Sequence, residues 1–314
     1  MRVAILDDIH RAYDATPAIA RLRQRAEVKI FTGPFGDPSA LRGFDALIAN
    51  RERTKFTREL FAQLPDVKII AQTGNHAYHV DFAAAREFGV IVGRASGGFS
   101  RGAAELTFGL MIAVMRHIVT GDVAVKSGQW PTPLGRELYG KTIGIVGLGR
   151  IGRHIATVAN AFGMNVLGWG RRLDDAAAAS VGAKRRELDA LLAESDIVSI
   201  HAMLAPQTRG LIDARRLALM KPTAYLINTA RGPIVDETAL VAALESGRIA
   251  GAGLDVFDRE PLPAGHPLTR FSNVVLTPHI GWPTQEKYAD FAEAAADVLI
   301  AYLDGREVPR FEEH

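Results

Sequence analysis

Short apolar, mostly β-branched runs recur along the chain, and stretches with apolar residues at helical spacing separate them. In the first hundred residues, Val3–Leu6, Val28–Phe31, Ala46–Ala49, Val67–Ala71 and Val90–Val92 read as buried strands. Pro17–Arg25, Thr57–Leu64 and Val80–Phe88 read as helices between them. A Gly/Ser-rich break follows at Ser96–Ser100, and a long helix is predicted from Gly102 to about Thr120, with Glu105 near its start. The alternation then resumes with six strands: Ile143–Val146, Val166–Trp169, Ile197–His201, Tyr225–Asn228, Gly253–Val256 and Val274–Leu276. Helical stretches at Arg153–Phe162, Leu188–Ala193, Arg215–Met220 and Thr238–Ser246 separate them, and Glu286–Leu303 forms a last helix before a charged tail. Repeated strand–helix alternation is the signature of α/β architecture with parallel sheets. The pattern predicts two Rossmann-like or flavodoxin-like domains, each a doubly wound parallel sheet. Residues 1–98, completed by the C-terminal segment 284–314, form one, residues 99–283 the other, with a ligand cleft expected between them.

Composition narrows the function classes. Nearly half of the 314 residues are apolar, at 48%, enough for two cores. No uninterrupted apolar run reaches the ~18 residues of a membrane helix, and the nearest, Leu106–Met115, is flanked by Glu105, Arg116 and His117. The opening MRVAILDD runs straight into a strand with no cleavable signal pattern, so a cytoplasmic location is expected. The chain has no cysteine, which excludes disulfides and thiolate-held metals. A net charge of +2 without a basic run offers no footprint for nucleic acid. The nine histidines are scattered, and His76/His79 is the only close pair that suggests a metal, so none is expected. His117, His154 and His266 read as structural, and Ala176–Ala179 as a local alanine cluster.

The most specific motif is Gly147-Leu148-Gly149-Arg150-Ile151-Gly152, which joins the strand Thr142–Val146 to a helix. Strand, G-x-G-x-x-G, helix is the arrangement that receives a dinucleotide pyrophosphate. The first glycine permits a tight turn, the second lets phosphate approach the backbone, and the third lets helix and strand pack closely. The phosphates then rest at the positive end of the helix.

Three polar residues close later strand-like segments: Arg231 after Ile227–Ala230, Glu260 after Leu254–Arg259, and His279 after Leu276–Pro278. Ligands of open α/β sheets bind outside the carboxyl ends of the strands, where all three would stand. Taken singly, each is an ordinary loop residue; following the glycine turn in this order, they make a site. Reduction of a 2-keto acid needs a cation for the carboxylate, a proton donor for the carbonyl oxygen and hydride at carbon. Arg231 supplies a planar fork of donors. His279 is the natural acid/base, and Glu260 beside it would orient the ring and favour its charged form.

The segments GLGRIG, NTARGPIVD, LDVFDREP and TPHIG, with VSIHAMLAPQTRGLI and QTGNHAYHVDFAAA before them, resemble the D-isomer-specific 2-hydroxyacid dehydrogenases over nearly the whole chain. The resemblance implies a catalytic triad of Arg231, Glu260 and His279 and a nicotinamide cofactor in the second domain. It implies cofactor contacts from Gly147, Gly149, Arg150, Ile151, Gly152, Thr229, Ala230 and Asp255, the last holding the nicotinamide amide. His201 joins these candidates by position, though a buried structural histidine is its ordinary reading. Asn75 and His76, following Gly74, would offer a substrate-carboxylate loop, with Arg51 as a further cation for an anionic substrate. A homodimer built around the long helix is implied as well.

The cofactor choice turns on the end of the second strand of the nucleotide domain. NAD-specific sites place an acid about 20 residues after the glycine turn, on the ribose 2′-OH. Here that place is Gly170, 18 residues after Gly152, followed by Arg171 and Arg172. Loss of the acid and gain of two arginines favour NADP over NAD, with Asp174 or Asp175 able to restore an acid if the loop shifts. The expected activity is reversible hydride transfer between NAD(P)H and a small 2-keto acid of the glyoxylate or hydroxypyruvate type. A phosphoglycerate dehydrogenase-like enzyme is its sibling, and a nucleotide-sensing scaffold or corepressor on the same fold is the alternative.

Overall fold

The computed structural model describes residues 1–98, 101–130 and 133–311; the last two residues of the expected Ser96–Ser100 break and the final three of the charged tail lie outside the described residues. The chain divides into two compact units, Met1–Phe99 with Pro283–His314, and Ser100–Trp282.

The first unit is built on five parallel strands, β1 (Arg2–Ile5), β2 (Glu27–Ile30), β3 (Ala46–Ala49), β4 (Ile69–Thr73) and β5 (Ile91–Ala95), ordered β2-β1-β3-β4-β5. The central strands β3 and β4 are buried along their whole length, which explains why they read as continuous apolar runs rather than alternating ones. The helix Pro17–Arg23 starts where Thr16 caps it and Pro17 presets the first turn. Helix Gln285–Leu303 packs on this sheet, with Phe291, Ala292, Ala295, Ala296 and Leu299 buried.

The second unit has seven parallel strands: β6 (Thr142–Val146), β7 (Asn165–Trp169), β8 (Lys184–Arg185), β9 (Ile197–Ile200), β10 (Tyr225–Asn228), β11 (Gly251–Leu254) and β12 (Val274–Leu276). Their order, β12-β11-β10-β9-β6-β7-β8, reverses between β6 and β9, the topological switch point of a doubly wound sheet. Alternate residues of β10 feed opposite layers: Leu226 enters one hydrophobic cluster, Tyr225 and Ile227 the other. The sheet is therefore covered on both faces.

Two sequence expectations change. The predicted helix Gly102–Thr120 is two helices, Gly102–Met115 and Ile118–Lys126, bent by 63°. The break falls at His117, which adopts φ +56°, and a left-handed residue cannot continue an α-helix. Leu110, Met111, Val114 and Met115 are buried in the second unit, whereas Ile118, Val119, Val123 and Val125 after the bend are exposed. The alanine cluster is the helix Asp175–Ala179, leading into β8, a seventh strand of two residues that is too short to leave a hydrophobic signal.

Candidate active site

The second unit gathers its chemistry along the carboxyl ends of its strands. Gly147 follows β6, Gly170 follows β7, His201 follows β9, Thr229–Arg231 follow β10, Asp255 follows β11, and Thr277–His279 follow β12. Parallel strands deliver all of these loops to one edge of the sheet.

At the glycine turn, the three glycines stand in different surroundings. Gly147 has φ +105°, and a Cβ there would lie 2.4 Å from the backbone N of Ala202. A Cβ on Gly152 would lie 2.3 Å from the Gly147 carbonyl oxygen, so helix Arg150–Ala161 and the turn touch backbone to backbone. A Cβ on Gly149 would meet nothing within 4 Å. Nothing in the fold demands glycine at Gly149, and the open space beside it fits a group that approaches the backbone from outside. Arg150 and Ile151 open the helix, whose first N–H groups have no side-chain cap. These residues fit a dinucleotide pyrophosphate.

After β7, Gly170 is followed by Arg171 and Arg172, both exposed and without a carboxylate partner among the described residues. Asp174 is committed elsewhere. It caps helix Asp175–Ala179, accepting the Ala177 N–H at 2.6 Å. The His201 ring faces the Ser199 hydroxyl, Nε2 to Oγ 2.6 Å, and burial pushes its pKa down to about 3. Thr229 meets Thr107 through their hydroxyls at 2.9 Å. Thr107 already donates to the Ala103 carbonyl, so Thr229 is the donor of this pair and keeps its acceptor capacity outward.

The Arg231 turn is shaped by Asn228, a buried residue that the sequence reading passed over as the end of a strand. Its Oδ1 accepts the Ala230 N–H at 3.0 Å and its Nδ2 donates to the Arg231 carbonyl at 3.0 Å. Arg231 is half-buried and anchors one arm of its guanidinium on the Ala230 carbonyl at 2.7 Å.

His279 has φ +56°, and its Nδ1 lies 2.7 Å from Glu260 Oε2. The other carboxylate oxygen of Glu260 accepts the Phe257 N–H at 2.9 Å. Partial burial raises the Glu260 pKa, but the hydrogen bonds from His279 and Phe257 and the charges of His279 and Arg231 outweigh it. The carboxyl ends below its ordinary range. With Nδ1 on Glu260, Nε2 of His279 is the ring nitrogen left for a substrate.

Asp255 fixes the loop that carries His279. It is buried, and its Oδ1 accepts the Thr277 hydroxyl at 2.6 Å and the Ile280 N–H at 2.8 Å, while Oδ2 accepts the Gly281 N–H at 2.8 Å. Burial pushes its pKa up against these three hydrogen bonds. The left-handed conformation of His279 is thus over-determined by its neighbours.

In the first unit, Arg51, Asn75 and His76 stand at the carboxyl ends of β3 and β4. Arg51 has φ +58°, and its Nε lies 3.2 Å from Glu52 Oε2. His76 Nε2 lies 3.2 Å from Glu52 Oε1, and the Tyr78 hydroxyl donates to the same oxygen at 3.1 Å. Asn75 is exposed after Gly74, whose φ of +101° turns the chain. Glu52 is the residue that sequence reading missed, since an acid between two arginines reads as solvated loop. No group of three or more His, Asp or Glu side chains that could hold a metal is found among the described residues.

With this geometry established, the comparisons are consistent. Residues 108–281 match the model of the D-isomer specific 2-hydroxyacid dehydrogenase family, NAD binding domain. A glyoxylate reductase of Thermofilum pendens is 42% identical over 306 residues, covering 93% of this chain and 90% of that relative. A D-3-phosphoglycerate dehydrogenase of Bacillus subtilis is 40% identical over 270 residues, covering 85% of this chain and 51% of that relative. The structure of a phosphoglycerate oxidoreductase from Vibrio cholerae is similar with a TM-score of 0.87 and 32% identity, covering 97% of this chain and 99% of that one. The chain belongs to the D-isomer-specific 2-hydroxyacid dehydrogenases, nicotinamide-dependent oxidoreductases that act on the CH–OH group of 2-hydroxy acids.

Proposed function

We propose that this enzyme works as a 2-keto acid reductase on small unphosphorylated acids of the glyoxylate or hydroxypyruvate type, with NADPH preferred, and that Arg231, Glu260 and His279 carry the reaction. The observation that carries the reading is the His279–Glu260 pair, 2.7 Å apart, within the field of the Arg231 cation. When bound along the glycine turn, the reduced nicotinamide supplies hydride to the carbonyl carbon. Arg231 binds the substrate carboxylate and polarises the carbonyl. His279 gives the proton on Nε2 to the carbonyl oxygen as it gains charge, yielding the 2-hydroxy acid. Glu260 holds Nδ1–H, so the ring stays aligned with Nε2 towards the carbonyl oxygen. In the reverse direction His279 takes the hydroxyl proton.

The NADPH preference rests on Gly170, Arg171 and Arg172. With no acid at the strand end and Asp174 spent on its helix, the two exposed arginines are suited to a 2′-phosphate. Preference for an unphosphorylated acid is supported by Glu52, which already compensates the charge of Arg51 and leans on His76. The exposed apolar residues beyond the bend, among them Val123 at 62%, Trp130 at 82% and Leu134 at 95% exposure, support a homodimer.

Initial rates of NADPH and NADH oxidation with glyoxylate, hydroxypyruvate, 3-phosphohydroxypyruvate and pyruvate test the reading. Turnover of the first two acids with NADPH above NADH is expected. Preference for the phosphorylated acid would move the enzyme to the phosphoglycerate dehydrogenase branch. Tight cofactor binding without turnover would favour a sensor.

A further inference from the structure

Glu237 lies outside the triad, yet its carboxylate reaches both ends of the loop that carries Glu260. It opens helix Glu237–Glu245, six residues after Arg231 in the chain. Its Oε2 accepts the Asp258 N–H at 3.2 Å, and its Oε1 lies 3.1 Å from His266 Nε2. Both side chains are largely enclosed, at 19% exposure for Glu237 and 17% for His266. The hydrogen-bond pattern fixes the His266 tautomer. Nδ1 accepts the Leu268 N–H at 3.3 Å and so carries no proton; Nε2–H is therefore the donor to Glu237. Beyond His266 the chain is anchored by Leu268, which is 1% exposed in the hydrophobic core.

The Arg231 segment is locked to the same loop by a second contact. A Cβ on Gly232 would lie 2.0 Å from the carbonyl carbon of Phe257, so the two backbones are in direct contact. Phe257 in turn donates its N–H to Glu260. One stretch of chain, 231–237, thus bears Arg231 at its start and grips the Glu260 loop at its end. The grip places an acid beside another acid: Asp258 is pushed up by its own burial and then by the Glu237 charge, with Arg209 opposing. A carboxylate is nonetheless suited here, because only it offers two acceptor oxygens to two donors in one plane.

From this geometry we propose that Glu237 is a positioning residue for the reaction, holding Glu260 at the distance that orients His279. The inference rests on the triad reading above, and a double-mutant cycle separates the two. Glu237→Gln is nearly isosteric but presents one acceptor and one NH2 to two donors, so one grip is lost while the fold is kept. It lowers kcat for keto acid reduction about tenfold, below the ~100-fold that a full misplacement of about 1 Å costs. The Kd for NADPH, read by fluorescence, is unchanged, and the pH profile of kcat takes the form of that of Glu260→Gln. In a Glu260→Gln background, adding Glu237→Gln changes kcat by less than about twofold, because the path to His279 is already cut. An unchanged kcat for Glu237→Gln alone, or an undiminished loss in the Glu260→Gln background, overturns the proposal. Full activity of Glu260→Gln by itself overturns the triad reading and this proposal with it.

Discussion

His279 and Glu260, from loops after different strands, meet at 2.7 Å, and the histidine backbone is held at φ +56° to make the contact. Glu260→Gln removes the charge and keeps the shape. It lowers kcat by at least about 100-fold, towards the about 10⁴-fold lost when a carboxylate that orients an acid/base histidine becomes an amide. The Glu260 carboxyl is depressed in the folded enzyme, so its stabilising contribution is fully present above the unfolded value of about 4.3 and is lost as pH falls through the folded one. The Tm difference between native enzyme and Glu260→Gln therefore closes as pH falls below about 5. A difference that persists undiminished to about pH 3 would show that Glu260 is not a depressed group.

Arg231 already spends one arm on the Ala230 carbonyl, at 2.7 Å, which leaves the planar fork a fixed direction. Arg231→Lys retains a charge but neither the anchor nor the fork. The kcat/KM for a keto acid falls about 10- to 100-fold, corresponding to a lost charge-assisted hydrogen bond of about 1.5–3 kcal/mol, while the Kd for NADPH is unchanged. Steady-state kinetics with glyoxylate checks this, and an unchanged kcat/KM removes Arg231 from the site.

Gly149 and Gly152 separate binding from folding. Gly149→Ala adds a methyl group to open space, so Tm is kept while cofactor affinity falls. Gly152→Ala drives a Cβ to 2.3 Å from the Gly147 carbonyl oxygen and destabilises by about 1–3 kcal/mol through overpacking. Thermal melts with and without NADPH distinguish them. Equal losses of Tm in the two variants would contradict the assignment.

What the sequence made legible follows from periodicity. Strands such as Ala46–Ala49 and Ile197–Ile200 are buried throughout, so their apolar runs are unbroken and easily read. The glycine turn and the positions of Arg231, Glu260 and His279 were legible because each follows a strand, where spacing along the chain translates directly into position. The bend at His117 was not, because Arg116 and His117 keep helical composition while a single φ angle changes sign. Asn228, Glu52 and Glu237 were illegible for another reason. They are polar residues at a strand end, in a loop and at a helix start; Glu52 and Glu237 act through partners distant along the chain, such as His266 for Glu237, and Asn228 through a turn whose shape appears only in three dimensions. Asp255 was legible as a carboxylate at a strand end, but its three hydrogen bonds to the His279 loop emerge only in three dimensions.

Arg171 and Arg172 are exposed and have no carboxylate partner among the described residues, so their removal costs the fold little. The double variant Arg171→Ala/Arg172→Ala raises the Kd for NADPH about 10- to 100-fold, as expected for charge-assisted hydrogen bonds to a phosphate, and leaves that for NADH within about twofold. Fluorescence titration with both cofactors measures this. Equal weakening of the two would place the arginines away from the 2′-phosphate.

His201 contributes to the acid side of stability. Its backbone N–H donates to the Val146 carbonyl at 2.7 Å, and its half-buried ring lies against Ser199, with burial pushing its pKa down to about 3. The unfolded chain binds a proton at this residue below about pH 6.5, while the folded one stays neutral. Above that pH the group contributes no pH dependence; below it, protons favour the unfolded state. Stability falls by at most about 1.4 kcal/mol for each pH unit until the folded ring titrates. His201→Gln keeps a polar partner for Ser199 and removes the titration. Its stability curve is flatter than the native one between pH 6.5 and 4.5 and runs parallel to it above pH 7. Parallel curves down to pH 4.5 would mean that the folded His201 takes up its proton as readily as the unfolded one, and that the ring is open to water.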